Sequence, residues 1–203
     1  MDSKLKVKTL LNEINNSGID ICLISKYWDD EQLMECYNLG YRKFGENRVD
    51  VLIERAKKFP NDIEWHFVGN LQSRDLGKIC KYATMIQSFD RPNLLEKISK
   101  YPEIKILIQI NLTDDKNRNG ININDLDTVI DKINNFNIKC NGFMLHPPIE
   151  LSDEEKQDMF SKMNEIFSQY PDYSILSMGT SNDYELANNC GATLNRLGRL
   201  LFD

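Results

Sequence analysis

Ile21-Cys22-Leu23-Ile24-Ser25-Lys26 is a short apolar run that ends at a charged residue, and a turn and an amphipathic segment follow it. Such a run is typical of a strand buried in a parallel sheet, with a helix packed outside it. A lysine amine that is taken out of water has a lowered pKa and can form an imine with an aldehyde. The simpler interpretation is that the tip of Lys26 reaches water at the end of the strand.

A strand followed by a helical pattern recurs along the whole chain. Eight strands are predicted, at Ile19–Ile24, Lys43–Phe44, Glu64–Val68, Thr84–Gln87, Ile104–Ile110, Lys139–Met144, Tyr173–Leu176 and Thr193–Leu197. Eight alternating units predict an α/β fold closed as a (β/α)8 TIM barrel. No linker or internal repeat interrupts the pattern, so residues 1–203 are predicted to form a single domain. An open doubly wound sheet is the alternative, because periodicity alone does not show closure.

Several helices have recognisable ends. Asp29 is predicted to cap a helix, and Gly40 suits the left-handed conformation after its last turn. Ser152 and Glu155 form a capping-box pattern ahead of a helix that ends before Pro171. These signals support the assignment of helices between the predicted strands.

The charge balance argues against nucleic acid as a partner. The 203 residues include 31 Asp and Glu against 25 Lys and Arg, which gives a formal net charge of −6. Negative charge repels phosphate backbones, and the sequence contains no basic run with interleaved aromatic residues.

The cysteines and the amino terminus indicate a cytoplasmic protein. Five scattered cysteines occur, at Cys22, Cys36, Cys80, Cys140 and Cys190. Their odd number and their spacing predict reduced core residues rather than disulfides or zinc ligands. No apolar run is long enough to span a membrane, and Met1-Asp2-Ser3-Lys4 leads into a predicted short amphipathic helix rather than a secretory signal.

The ends of the predicted strands carry polar residues. The active site of such a barrel lies at the carboxyl ends of its strands, where Lys26 ends the first. Gly45-Glu46-Asn47-Arg48 follows the second strand and Gly69-Asn70-Leu71-Gln72-Ser73 the third, and their amides could orient a polar ring substituent. Each segment taken alone is also consistent with an ordinary strand-to-helix turn.

The last two strand ends suit an anion. Residues Ser177-Met178-Gly179-Thr180-Ser181-Asn182-Asp183 are predicted to be a loop that offers hydroxyls and free backbone amides at a helix start. The loops after strands seven and eight are the usual phosphate site of such barrels. Asn195-Arg196-Leu197-Gly198 ends the eighth strand beside this loop, and Arg196 can contact a phosphate or a ring nitrogen. Helix capping by Ser181 would explain part of the pattern.

Two histidines, His66 and His146, do not support a metal site, because neither has cysteines or carboxylates clustered near it in the sequence. His66 lies within a predicted strand between two aromatic residues, which favours a hydrogen-bonded core histidine over a general base. His146 precedes two prolines and is interpreted as loop structure.

Eight motifs occur in a fixed order along the chain. They are Leu23-Ile24-Ser25-Lys26, Phe44-Gly45-Glu46-Asn47-Arg48-Val49, Trp65-His66-Phe67-Val68-Gly69-Asn70-Leu71-Gln72, Ser88-Phe89-Asp90-Arg91, Gln109-Ile110-Asn111, Gly142-Phe143-Met144, Leu176-Ser177-Met178-Gly179 and Arg196-Leu197-Gly198. Together they resemble the pyridoxal phosphate homeostasis protein family, and the match extends almost end to end. The chain departs from that family at Arg74-Asp75, where Asn-Lys is usual, and at Arg118, where lysine is usual, which leaves the ligand contacts of those loops open.

The resemblance implies a barrel like the amino-terminal domain of alanine racemase, which is PLP fold type III, with pyridoxal 5'-phosphate (PLP) held as an imine on Lys26. It further implies a cofactor site that comprises Lys26, Asn47 near the ring, and Ser177, Gly179, Ser181, Arg196 and Gly198 at the phosphate. The implied function is PLP (vitamin B6) homeostasis by a monomer that sequesters PLP and delivers it to apo-forms of PLP-dependent enzymes.

We expect no catalytic residues for amino-acid turnover. Racemase or decarboxylase chemistry needs a positioned acid or base on each working face of the cofactor, often from a second domain or subunit. An arginine against the ring nitrogen would also disfavour its protonation. Two alternatives stay open. One is a racemase-like PLP enzyme with an unrecognised base such as Cys140, and the other is an aldolase in which Lys26 forms an imine with a sugar phosphate.

Overall fold

The computed structural model describes residues 9, 18–113, 115 and 117–202. The strands are β1 Asp20–Ile24, β2 Lys43–Glu46, β3 Glu64–Phe67, β4 Met85–Phe89, β5 Lys105–Asn111, β6 Ile121–Asn122, β7 Lys139–Leu145, β8 Ile175–Thr180 and β9 Leu194–Leu197. The helices are α1 Asp30–Asn38, α2 Val49–Lys58, α3 Leu76–Tyr82, α4 Leu95–Ile98, α5 Leu126–Asn135, α6 Asp153–Phe167, α7 Tyr184–Asn189 and α8 Arg199–Phe202. The short amphipathic helix predicted after Lys4 lies outside the described residues.

Eight parallel strands close into a barrel in the order β1-β2-β3-β4-β5-β7-β8-β9. Closure depends on two pairings, β4 with β5 and β9 with β1, the latter with Asp20 opposite Leu194. The predicted eight-stranded barrel is therefore confirmed, and the open doubly wound alternative is wrong. Strand β6 pairs with β5 beside the ring, and its two residues are too few to give a periodic signal.

The predicted strands differ from the observed ones by one or two residues at one or both ends, except at β8, where the end is wrong by four residues and the error affects the site. The predicted strand Tyr173–Leu176 begins at Ile175 instead and continues to Thr180. Ser177 and Gly179 therefore belong to β8 rather than to a loop. Tyr173 lies before the strand and packs edge-on against Phe143, with ring centroids 5.2 Å apart.

The core has an outer and an inner part. Along β5, Ile106 and Ile108 belong to the large apolar cluster between barrel and helices, whereas Leu107 packs with Met85 and Met144 in a small separate cluster. Because side chains alternate between the faces of a strand, the small cluster fills the inside of the barrel. Polar side chains fill the rest of the interior towards the carboxyl ends of the strands.

The predicted helix ends are confirmed where the structure describes them. The Asp29 carboxylate accepts the backbone N–H of Gln32 at 2.9 Å and starts α1. Ser152 and Glu155 form the reciprocal capping box of α6. Gly40 has a φ of +100°, the left-handed conformation expected after α1. Within the described ranges, no helix has the length and apolar character needed to cross a membrane.

Candidate functional site

A cavity of about 330 Å³ opens at the carboxyl ends of the strands, which is where the barrel fold predicts a site. Its lining includes five of the predicted site residues, namely Lys26, Asn47, Ser181, Arg196 and Gly198. Arg199 adds a third cation, and none of the described lining residues is Asp or Glu. In a chain of net charge −6, this local excess of positive charge favours an anionic ligand.

Lys26 lies at the rim of the cavity. Strand β1 ends at Ile24, and Lys26 belongs to the turn that follows it, where its side chain is exposed. The expectation of a buried, desolvated lysine is therefore wrong, because Lys26 lies in an exposed turn two residues beyond the end of β1. The amine lies 4.7 Å from the ring centroid of Tyr27, which is 72% exposed, and Lys26 lowers the pKa of that phenol. An aldehyde that enters the cavity can reach the amine.

A buried ion pair fixes the turn that carries Lys26. Arg55, on α2, is only 8% exposed and contacts the Glu46 carboxylate at 2.5 Å. It also donates to the backbone carbonyl of Ser25 at 2.7 Å and to that of Trp28 at 2.6 Å. The Ser25 hydroxyl donates to Glu46 at 2.5 Å. These bonds fix the backbone at Ser25 and at Trp28, on both sides of Lys26. The position from which the Lys26 side chain extends is therefore fixed.

Glu46 is almost fully buried, and burial raises the pKa of its carboxyl, although Ser25 and Arg55 act in the opposite direction. Arg55 was not predicted to be part of the site, because an arginine on an amphipathic helix is usually a solvated residue. A carboxylate at the end of a buried strand was the available signal, since a buried charge requires a partner.

Arg196 lies on β9 and extends into the barrel, where it is buried except for the part that lines the cavity. One terminal nitrogen donates to the Ser177 carbonyl and hydroxyl at 2.9 and 2.8 Å, and the other to the Leu145 carbonyl at 3.0 Å. Burial lowers the pKa of Arg196 to about 10, so the guanidinium remains charged at neutral pH. The structure thus presents a fixed positive charge to the cavity.

Ser177 and Gly179 do not line the cavity. Ser177 is fully buried and donates its hydroxyl to the Gln87 side chain at 2.7 Å, so the phosphate contact expected of it has no support in the geometry. Gly179 has a φ of +87°, and a Cβ there would come within 2.8 Å of the Tyr184 Cα. The end of β8 therefore requires glycine at this position. His66 is buried and contacts Gln87, as expected of a core histidine.

Backbone donors converge at one wall of the cavity. The Ser181 hydroxyl oxygen accepts the N–H groups of Gly198 and Leu200, each at 3.2 Å. At Gly198 a Cβ would lie 2.7 Å from the Ile24 carbonyl oxygen, so this close approach requires glycine. Because the Ser181 oxygen accepts both N–H groups, its own O–H is left to donate to a ligand oxygen such as that of a phosphate.

Asn47 supplies an unpartnered polar atom. Its Oδ1 is buried and has no hydrogen-bond partner among the described residues, although the residue lines the cavity. A buried polar atom without a partner is destabilising. A ligand with a hydrogen-bond donor on its ring could donate to the Asn47 oxygen and remove this cost.

The comparisons with known proteins agree with this geometry. The family model for the alanine racemase N-terminal domain matches residues 26–203. The pyridoxal phosphate homeostasis protein of Aquifex aeolicus (strain VF5) is 32% identical over 190 residues, which cover 88% of this chain and 83% of that protein. The chain belongs to the pyridoxal phosphate homeostasis protein family. Its homologue from Haemophilus influenzae is 29% identical over 214 residues, which cover 97% of this chain and 90% of that one.

Solved structures extend the likeness to the fold. PipY of Synechococcus elongatus PCC7942, solved with PLP bound, has a TM-score of 0.86 and 27% identity, covering 97% of this chain and 100% of that one. The arginine decarboxylase of Paramecium bursaria Chlorella virus has a TM-score of 0.77 at 16% identity, which shows the fold alone. This chain covers 63% of that decarboxylase. The predicted family and the alanine racemase-like barrel are thus confirmed.

Proposed function

We propose that this protein binds PLP covalently through Lys26 and acts in PLP homeostasis, holding and releasing the cofactor without turning over amino acids. One observation carries the proposal. A single cationic cavity has an exposed lysine amine at its rim and the Ser181 hydroxyl with two backbone N–H groups in its wall. PLP combines an aldehyde with a phosphate, the two kinds of group that this arrangement suits. The relative PipY, solved with PLP bound, and curated relatives named pyridoxal phosphate homeostasis proteins support this assignment.

Each remaining residue of the cavity fits part of this ligand. PLP supplies an aldehyde that a lysine amine can capture reversibly, which is the chemistry that a carrier requires. The Ser181 hydroxyl, held in place by the Gly198 and Leu200 N–H groups, would donate to the phosphate. The Asn47 amide would pair with a polar substituent of the ring, and Arg196 would face its nitrogen.

The charge of Arg196 argues for a carrier rather than an enzyme. A guanidinium beside the ring nitrogen disfavours protonation of that nitrogen, which weakens the electron withdrawal on which amino-acid chemistry depends. His146 lines the cavity, but burial lowers its pKa to about 4, so it is uncharged at neutral pH. Cys140 was the candidate base of the enzymatic alternative. It does not line the cavity, and burial raises the pKa of its thiol.

The test uses holo-protein in deuterium oxide with a panel of L- and D-amino acids, with the visible spectrum and the α-proton signals followed together. We expect spectral change from amine exchange without loss of the α-proton. Protein-dependent loss of the α-proton at about one per second or faster would match ordinary enzymes and overturn the carrier assignment. Tyr27→Phe is the matched variant, because Tyr27 is the phenol nearest the Lys26 amine and should be dispensable in a carrier.

The same preparation tests the other expectations. An imine of PLP absorbs visible light and a sugar imine does not, so a colourless protein after incubation with PLP would favour the aldolase alternative.

Delivery is measured by dialysis against an apo-form of a PLP-dependent enzyme, which should regain activity. We also propose a monomer, and light scattering at a mass of about twice 23.6 kDa would contradict it.

A further inference from the structure

A chain of four buried polar side chains crosses the interior of the barrel and ends at Arg196. Its members lie on four different strands and are at most 7% exposed, namely His66 on β3, Gln87 on β4, Ser177 on β8 and Arg196 on β9. The Arg196 guanidinium contacts the Ser177 hydroxyl at 2.8 Å, and that hydroxyl contacts the Gln87 carbonyl oxygen at 2.7 Å. The Gln87 amide nitrogen lies 2.7 Å from Nδ1 of His66.

The direction of every bond in this chain follows from Arg196. A guanidinium only donates, so the Ser177 oxygen must accept from it and is left to donate its proton to Gln87. Gln87 accepts through its oxygen and therefore directs its amide nitrogen at His66. That nitrogen donates, so Nδ1 of His66 accepts, and the imidazole carries its proton on Nε2. Burial lowers the pKa of His66 to about 3, which is consistent with a neutral ring.

The four-residue hydrogen-bond chain uses only some of the N–H donors of Arg196. Its hydrogen bonds to the Ser177 carbonyl, the Ser177 hydroxyl and the Leu145 carbonyl use three of the five N–H groups of the guanidinium. Arg196 also lines the cavity, so the remaining N–H groups are available to a ligand. The phosphate donors converge elsewhere, on Ser181. In PLP the ring nitrogen is opposite the aldehyde carbon, so a PLP attached to Lys26 would have its nitrogen directed away from Lys26, and Arg196, which lines the same cavity, would be available to it.

We propose that His66, Gln87 and Ser177 are positioning residues that hold the Arg196 guanidinium towards the cofactor's ring nitrogen, and that Ser177 does not bind the phosphate. This inference rests on the proposed PLP function. It replaces the phosphate role that the sequence suggested for Ser177 with an indirect role, exerted through Arg196 from inside the barrel.

Pyridoxal, which has the ring and the aldehyde but no phosphate, separates the two roles. The dissociation constants of PLP and pyridoxal would be measured by absorbance titration for the wild type, Ser177→Ala and Ser181→Ala. Loss of one buried hydrogen bond is worth about a two- to tenfold change in affinity. Ser177→Ala should weaken both ligands by the same factor, because both contain the ring nitrogen. Ser181→Ala should weaken PLP and leave pyridoxal unchanged. A loss in Ser177→Ala confined to PLP would overturn the proposal.

A second measurement needs no cofactor and no change to the four residues of the hydrogen-bond chain. Nitrogen-15 NMR of the imidazoles in the apo-protein at pH 7 reports which ring nitrogen carries the proton, with His146→Gln used to assign the signals. We expect a neutral His66 protonated on Nε2 with Nδ1 as an acceptor. Protonation on Nδ1 would reverse the direction of the hydrogen bond between His66 and Gln87 and overturn the positioning role. This result does not depend on whether Ser177→Ala folds. Failure of the wild type to bind PLP would instead refute the proposed function and leave the tautomer result intact.

Discussion

Replacement of Arg55 by leucine should destabilise the protein strongly, because it leaves the Glu46 carboxylate buried without its ion-pair partner. The Arg55 side chain is 10% exposed and that of Glu46 is 1% exposed, so water cannot replace the lost contact. Breaking a buried pair in this way costs about 3–5 kcal/mol. The carbonyls of Ser25 and Trp28 also lose their hydrogen-bond donor. These losses belong to the same network, so their free energies are not added to the about 3–5 kcal/mol.

The assay is urea unfolding of the wild type and Arg55→Leu at several pH values. With a denaturant slope of about 2–3 kcal/mol per molar urea, the midpoint should fall by about 1–2.5 M at neutral pH. Arg48→Leu is the matched control, because the Arg48–Asp50 pair is exposed on both sides and its loss should leave the midpoint unchanged.

The pH dependence has a definite sign. Burial already raises the folded-state pKa of Glu46 above its ordinary value, and removal of Arg55 takes away an interaction that lowers it. The folded state then binds a proton more tightly than the unfolded state, so stability falls as pH rises through the folded pKa. The deficit of Arg55→Leu should therefore be larger at pH 8 than at pH 5, and adding Glu46→Gln should recover part of it. An unchanged midpoint, or an equal deficit at both pH values, would refute the buried-pair argument.

Two further predictions concern the cavity. Arg196→Ala should weaken PLP retention by about ten- to a hundredfold, since charge-assisted contacts contribute about 1.5–3 kcal/mol, and dialysis against a competing apo-enzyme measures the loss; retention like that of the wild type would exclude Arg196 from the site. Gly179→Ala should lower the free energy of unfolding by more than Gly40→Ala, because both positions have positive φ but only at Gly179 would the Cβ collide with neighbours. Equal losses in urea unfolding would show that crowding at Gly179 is unimportant.

The periodic features of the sequence predicted the fold well. Eight strand-then-helix units are encoded by local alternation of apolar and polar residues, and the barrel follows from repeating them. Helix ends at Asp29 and Ser152 were equally readable, because a cap is satisfied within three residues.

The interior contacts of the site were not readable, because their partners are distant in sequence. Ser177 continues a strand instead of opening a loop because Gln87, 90 residues earlier, accepts its hydroxyl inside the barrel. Arg55 is buried because Ser25 and Trp28, 30 and 27 residues away, supply carbonyl acceptors. The exposure of Lys26 was not readable either: the strand end at Ile24 was predicted, but not that the turn beyond it places Lys26 in solvent. A polar residue inside an apolar strand indicates that a partner exists, but not which one.

Covalent attachment of PLP to Lys26 is the central claim, and borohydride reduction of the PLP-loaded protein followed by peptide mapping tests it most directly. Reduction converts a reversible imine into a stable secondary amine, so the lysine that carried the cofactor remains marked. The account predicts one modified peptide, the one that contains Lys26, and no covalent adduct in Lys26→Ala. An adduct on Lys43, Lys78 or another lysine, with Lys26 unmodified, would contradict it.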